Sequence, residues 1–82
     1  MTKSEKRLED MRNNPAGDWT IEDIKMVCRA YGITIEMPSG GSHWGIFYPG
    51  VGIQTIPHRR RIKRRYIKEF VSFVDRVRES QR

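Results

Sequence analysis

A histidine follows a glycine turn at Gly40-Gly41-Ser42-His43, at the mouth of an apolar run, Trp44-Gly45-Ile46-Phe47-Tyr48. Histidine changes charge near neutrality, so it can both take and give a proton at working pH. Shortly downstream the chain carries Arg59-Arg60-Arg61-Ile62-Lys63-Arg64-Arg65, a run suited to phosphate. Cleaving RNA needs little more than this. The 2′-hydroxyl must lose a proton, the 5′-oxygen leaving group must gain one, and charge on the phosphorane must be stabilised. His43 is the candidate acid/base. Arg59, Arg60 or Lys63 would clamp the phosphate, and Arg59, Arg60, Arg61, Lys63 and Arg64 form the candidate RNA-binding set. His58, in Ile56-Pro57-His58, is a possible second acid/base, and Ser42 a possible support for His43. Plainer readings compete. His43 and Ser42 are also ordinary turn residues, and His58 is an ordinary polar end to a strand. Trp44, Phe47 and Tyr48 could stack on bases but serve equally as core.

Other chemistries lack their residues. There are no paired carboxylates, no Ser-His-Asp grouping and no phosphate-cradling glycine loop; Gly40-Gly41 precedes a strand rather than a helix. Cys28 is the single cysteine, which excludes a disulfide framework and a Cys-rich zinc site. Two histidines supply no metal-ligand cluster. No metal and no cofactor are expected. Cys28 falls in a helical apolar pattern and reads as a small core residue.

The net charge of +6 is local. Residues 59–68 hold seven Lys/Arg and no acid, whereas the remaining chain sets nine basic residues against ten acidic ones. Seven like charges in ten residues repel one another, so the run is expected to meet a polyanion and release its counterions. The first fourteen residues alternate charges without an apolar segment, and no apolar run reaches the roughly 18 residues of a membrane span. A cytoplasmic protein with no membrane partner is therefore expected.

Eighty-two residues make one small domain with a thin core. Residues 4–13 could form a short polar helix with Leu8 and Met11 as its apolar residues, broken by Asn14-Pro15-Ala16-Gly17. This divides the chain into an N-terminal arm, 1–17, and a domain, 18–82. Trp19 to Tyr31 is a helix with Thr20 as N-cap and Asp23 in the capping-box position. Trp19 and Ile24 are placed for a hydrophobic staple, and Gly32 supplies the left-handed end. Ile33 to Met37 alternates as a half-buried strand, and 38–42 is a turn. His43 to Tyr48 and Gly52 to Ile56 are two further strands, the last stopped by Pro57. The final helix is expected from near Arg60 to about Glu79. Its apolar stripe is Ile62, Tyr66, Phe70, Phe73, Val74 and Val77, widened by Ile67 and Val71. The result is an α+β domain of αβββα order: a three-stranded antiparallel meander with both helices on one face and the other face open. If Trp44 and Ile46 face the helices, His43 and Gly45 face the open side, and the glycine leaves space beside the imidazole. The alternation alone leaves both parities open.

Several of these residues fall in a familiar order. Gly40-Gly41-Ser42-His43-x-x-Ile46, then Pro49-Gly50, Ile56-Pro57-His58-Arg59, Ile62-Lys63 and a closing apolar helix resemble the HicA toxins, the mRNA interferases of HicAB toxin–antitoxin systems. Met11-Arg12-Asn13-Asn14-Pro15 followed by Trp19-Thr20-Ile21-Glu22-Asp23-Ile24 is similar to the longer-armed branch of that family. The resemblance spans about residues 5 to 77. It implies a fold like a double-stranded RNA-binding domain and an active-site histidine at His43. It also implies ribosome-independent cleavage of mRNA and a HicB-like antitoxin partner. Two departures stand out: Ile46 occupies a place where phenylalanine is common, and Tyr48 one where a second histidine often precedes the Pro-Gly. The expected function is a metal-independent endoribonuclease toxin; the alternative is a non-catalytic RNA-binding module of the same fold. A basic amphipathic helix lying on an anionic membrane is a third reading. It is disfavoured because that helix's apolar stripe is needed to cover the sheet.

Overall fold

The computed structural model describes residues 2–37 and 41–82. Its elements run α1 (Lys3–Asn13), α2 (Ile21–Tyr31), β1 (Thr34–Glu36), β2 (His43–Tyr48), β3 (Gly52–Pro57) and α3 (Arg64–Ser80). The strands form one antiparallel sheet in the order β1-β2-β3. The turn expected over 38–42 lies partly outside the described residues.

Local sequence accounts for most boundaries. In α2, the Asp23 carboxylate accepts from the Thr20 backbone N–H at 2.9 Å and from its hydroxyl at 3.2 Å, which closes the N-terminus. Gly32 ends the helix at φ 71°, where a Cβ would be strained. Between β2 and β3, the Val51 N–H donates to the Tyr48 carbonyl at 3.1 Å, with Gly50 at φ 83°. Pro49-Gly50 therefore forms a type II turn, which needs a positive φ at its third residue.

The core lies between one face of the sheet and the three helices. Trp44, Ile46 and Ile56 from the sheet meet Ile24, Val27 and Cys28 of α2 and Ile67, Phe70, Phe73, Val74 and Val77 of α3. Complete burial of each large apolar side chain stabilises by about 1.5–3 kcal/mol. The stripe of α3 is thus consumed by packing.

Four expectations change. The segment expected as an arm is part of the core: Leu8 and Met11 of α1 are fully buried with the residues of α2 and α3. Two ion pairs, Arg7 to Asp23 and a bidentate Arg12 to Asp75 at 2.8 Å on each oxygen, fasten α1 to both neighbours. The last helix begins at Arg64 rather than near Arg60. The sheet ladder continues past β3, with the His58 N–H donating to the Ser42 carbonyl at 2.6 Å, so 59–63 must turn the chain back before it can coil. Ile62 is still buried, but from this loop. Pro57 belongs to β3 rather than stopping it, because an edge strand tolerates a residue without an N–H. Finally, Met37 lies beyond the short β1 and is 74% exposed.

Candidate functional site

Side-chain parity along β2 follows burial. Trp44 and Ile46 point into the core, at 4% and 0% exposure, while His43 and Phe47 are exposed on the opposite, helix-free face. Gly45 shares that face with His43. A Cβ placed on Gly45 would meet nothing within 4 Å, so the space beside the imidazole is open.

His43 pairs across the ladder with Pro57. Ser42 Oγ lies 3.3 Å from His43 Nδ1. If Nδ1–H donates to this hydroxyl, the Nε2 lone pair is left for a substrate proton. The hydroxyl can equally donate to a bare Nδ1, so the contact places Ser42 beside the ring without choosing its tautomer.

A groove of about 430 Å³ carries the surface around His43 over the free edge of β3. Its polar lining includes Thr55, Arg65, Glu69 and Arg76. Arg65 stands over the Tyr66 ring, its guanidinium carbon 5.1 Å from the ring centre. Arg65 and Arg76 were not among the candidate residues, although they are the cations that share a groove with His43. Positions 65, 69 and 76 lie on one helical face. The expected helix already sets them on one face, but only the packing of α3 beside β3 brings that face to His43.

The expected basic set is located elsewhere. Arg59, Arg61, Lys63 and Arg64, with Ala16, line a second concavity of about 440 Å³; Arg60 lines neither. The loop carrying them is pinned by the buried Ile62 side chain and by the Ile62 N–H, which donates to the Trp19 carbonyl at 2.9 Å. Asp18 approaches Arg61 at 3.9 Å, but both side chains are well exposed and the pair holds little energy. The first turn of α3 contains no acid, although the positive end of the helix dipole favours one. Cations crowd that end instead, an arrangement that an anionic ligand would relieve. The loop begins two residues beyond Pro57, so Arg59 starts within about 12 Å of His43 along the backbone.

His58 does not join His43. It follows Pro57 and so falls on the other side of the ladder, where its Nδ1 accepts from the Trp44 indole N–H at 2.9 Å. The two rings stack with centres 5.9 Å apart and planes 24° from parallel, and Lys25 Nζ sits 4.9 Å from the Trp44 ring centre. Accepting from the indole fixes the neutral ring as the Nε2–H tautomer. Tyr48 is likewise remote, at the far end of β2. Its hydroxyl meets Gln81 Nε2 at 3.1 Å, about 17 Å along the strand from His43.

Burial pushes the Cys28 thiol up to about 12, which leaves it an inert core group. Among the described residues, no group of three or more His, Cys, Asp or Glu is placed to hold a metal ion, and no helix is long and apolar enough to cross a membrane. Compared with known proteins, the chain matches no family model, no curated protein and no solved structure.

Proposed function

We propose that this chain is an endoribonuclease toxin of the HicA kind, built on a fold like a double-stranded RNA-binding domain, that cleaves mRNA independently of the ribosome. One observation carries the reading: an exposed histidine with a hydroxyl near one ring nitrogen shares a groove, running over the free edge of β3, with Arg65 and Arg76 of α3. His43 Nε2 takes the proton of a 2′-hydroxyl, whose oxygen attacks the adjacent phosphorus. Arg65 and Arg76 offset charge on the phosphorane. The P–O5′ bond breaks as the new P–O2′ bond forms, leaving a 2′,3′-cyclic phosphate. The protonated His43 returns its proton to the departing 5′-oxygen, so atoms and protons balance. The loop residues Arg59, Arg61 and Lys63, with Arg64 at the start of α3, hold flanking phosphates. A HicB-like antitoxin, acidic over its contact surface, would neutralise the toxin by covering the groove and the loop together.

The test is cleavage of defined RNA by the wild type and by His43→Ala. Loss of general acid–base help should lower the rate by about 10²–10⁴ while RNA binding persists. EDTA should leave wild-type cleavage unchanged, since the mechanism assigns both proton transfer and charge stabilisation to side chains. A folded His43→Ala protein that still cuts would overturn the assignment. If the wild type binds RNA and cuts none, the non-catalytic binding module replaces the enzyme.

A further inference from the structure

Gly45 has no reason within the fold to be glycine. It lies in the central strand, outside the left-handed region, and a side chain there would meet open space. Glycine weakens a strand interior, and where neither turn nor packing requires it, the close approach of a ligand is the remaining physical reason. Its neighbours define the space that the bare backbone leaves. Glu36 pairs with Gly45 on one side and Thr55 on the other, and directly paired residues share a face. Along the strand, His43 stands two residues away in one direction and Phe47 two in the other. Phe47 is 44% exposed, and its cross-strand partner Ile53 is 71% exposed. These residues border a shallow slot on the open face: the Gly45 backbone is its floor, Phe47 and Ile53 stand at one end and His43 at the other, with Glu36 and Thr55 on its flanks.

We propose that this slot seats a guanine base of the RNA and so selects the cleavage position; the proposal rests on the ribonuclease reading above. A planar base can approach the Gly45 backbone and stack on Phe47, as single-stranded RNA does on exposed aromatics. Among the described strand residues of this face, Glu36 is the one acid, and it would repel phosphate unless it accepts hydrogen bonds from the ligand. A carboxylate only accepts. Guanine presents two adjacent donors, N1–H and N2–H₂, to its two oxygens, whereas uracil presents a single N–H between two acceptors. Two strand residues, about 7 Å, separate Gly45 from His43, comparable to the span from a base to its own phosphate.

The experiment is sequencing of the products from a randomised RNA cut by the wild type, Glu36→Gln, Phe47→Ala and Gly45→Val, with KM and kcat on one chosen substrate. The wild type should show guanine at one fixed position beside the cut. Glu36→Gln should lose that preference by about 10- to 100-fold, with some shift toward adenine, which an amide can pair bidentately. Phe47→Ala should raise KM by roughly ten- to hundred-fold. Gly45→Val should melt no lower than the wild type yet bind RNA poorly. Wild-type cutting without a base preference, a preference retained by Glu36→Gln, or wild-type kinetics in Gly45→Val would each overturn the slot. If the wild type cuts no RNA, the ribonuclease reading fails separately. Titration with guanosine 5′-monophosphate against the cytidine nucleotide then decides the slot through the Gly45 and Glu36 amide NMR shifts. Unmoved shifts would overturn it, and a response confined to guanosine would support it.

Discussion

The two histidines should separate stability from activity. His58 holds the Trp44 indole N–H at 2.9 Å and stacks on its ring. Trp44 is 4% exposed, so truncating His58 removes the acceptor of a nearly buried donor. A lost hydrogen bond with a donor left unpaired costs about 1–3 kcal/mol. His58 itself is exposed, so water can partly replace it, and the lower end of that range applies. Loss of an aromatic pair adds about 0.5–1.5 kcal/mol. His58→Ala should therefore destabilise by about 2 kcal/mol, lowering the urea midpoint by roughly 1–2 M for a domain of this size. His58→Asn, whose amide oxygen can stand near the Nδ1 position, should recover about half. His43 is exposed, and its removal should change stability by less than about 0.5 kcal/mol. Urea unfolding followed by Trp fluorescence or circular dichroism, beside the cleavage assay, checks both. With the concentration of folded protein matched, the proposed activity should be near normal in His58→Ala and lost in His43→Ala. An equal stability loss in both variants, or a His58→Ala protein as stable as the wild type, would refute the assignment of the histidines to opposite faces.

Three further outcomes follow from particular contacts. Leu8→Ala, at a fully buried site in α1, should cost about 2–5 kcal/mol, and deleting residues 2–17 should unfold the protein; unchanged melting of the truncated chain would restore the view of α1 as an arm. The Arg12 guanidinium holds the Asp75 carboxyl below its usual range, so the pair's stabilisation is present above about pH 4 and lost as pH falls through the depressed folded value. Asp75→Asn should be modestly less stable than the wild type at pH 6, with the gap closing in acid, as read from melting against pH. RNA affinity should fall steeply with salt, with log K losing about 0.7 per phosphate contact on a single strand for each tenfold rise in salt. Gln at Arg59, Arg61 and Lys63 should flatten that slope for all sequences alike, and an unchanged slope would remove the loop from the binding surface.

Much of the architecture was legible because its signals are local. Thr20 with Asp23, Gly32 and Pro49-Gly50 set their boundaries through backbone hydrogen bonds and allowed φ values within a few residues. The period-two run of β2 and the apolar stripe of α3 need only a core on one side. Leu8 and Met11 announced a helix but not its place, since two apolar residues among many charges leave open what covers them. Their burial depends on α2 and α3, which bring Asp23 and Asp75 within reach of Arg7 and Arg12. The candidate site divides in the same way. Sequence alone shows that His43 can titrate and that 59–65 is cationic. Which face His43 occupies depended on the ladder, because a one-residue change of parity would have buried it. The same ladder, running on to His58 and Ser42, delayed α3 to Arg64. Packing of the α3 stripe on the core brings Arg65 and Arg76 to the groove that holds His43, while the loop before α3 places Arg59, Arg61 and Lys63 around a different concavity and His58 lies against Trp44. These are long-range pairings, which no window of neighbouring residues contains.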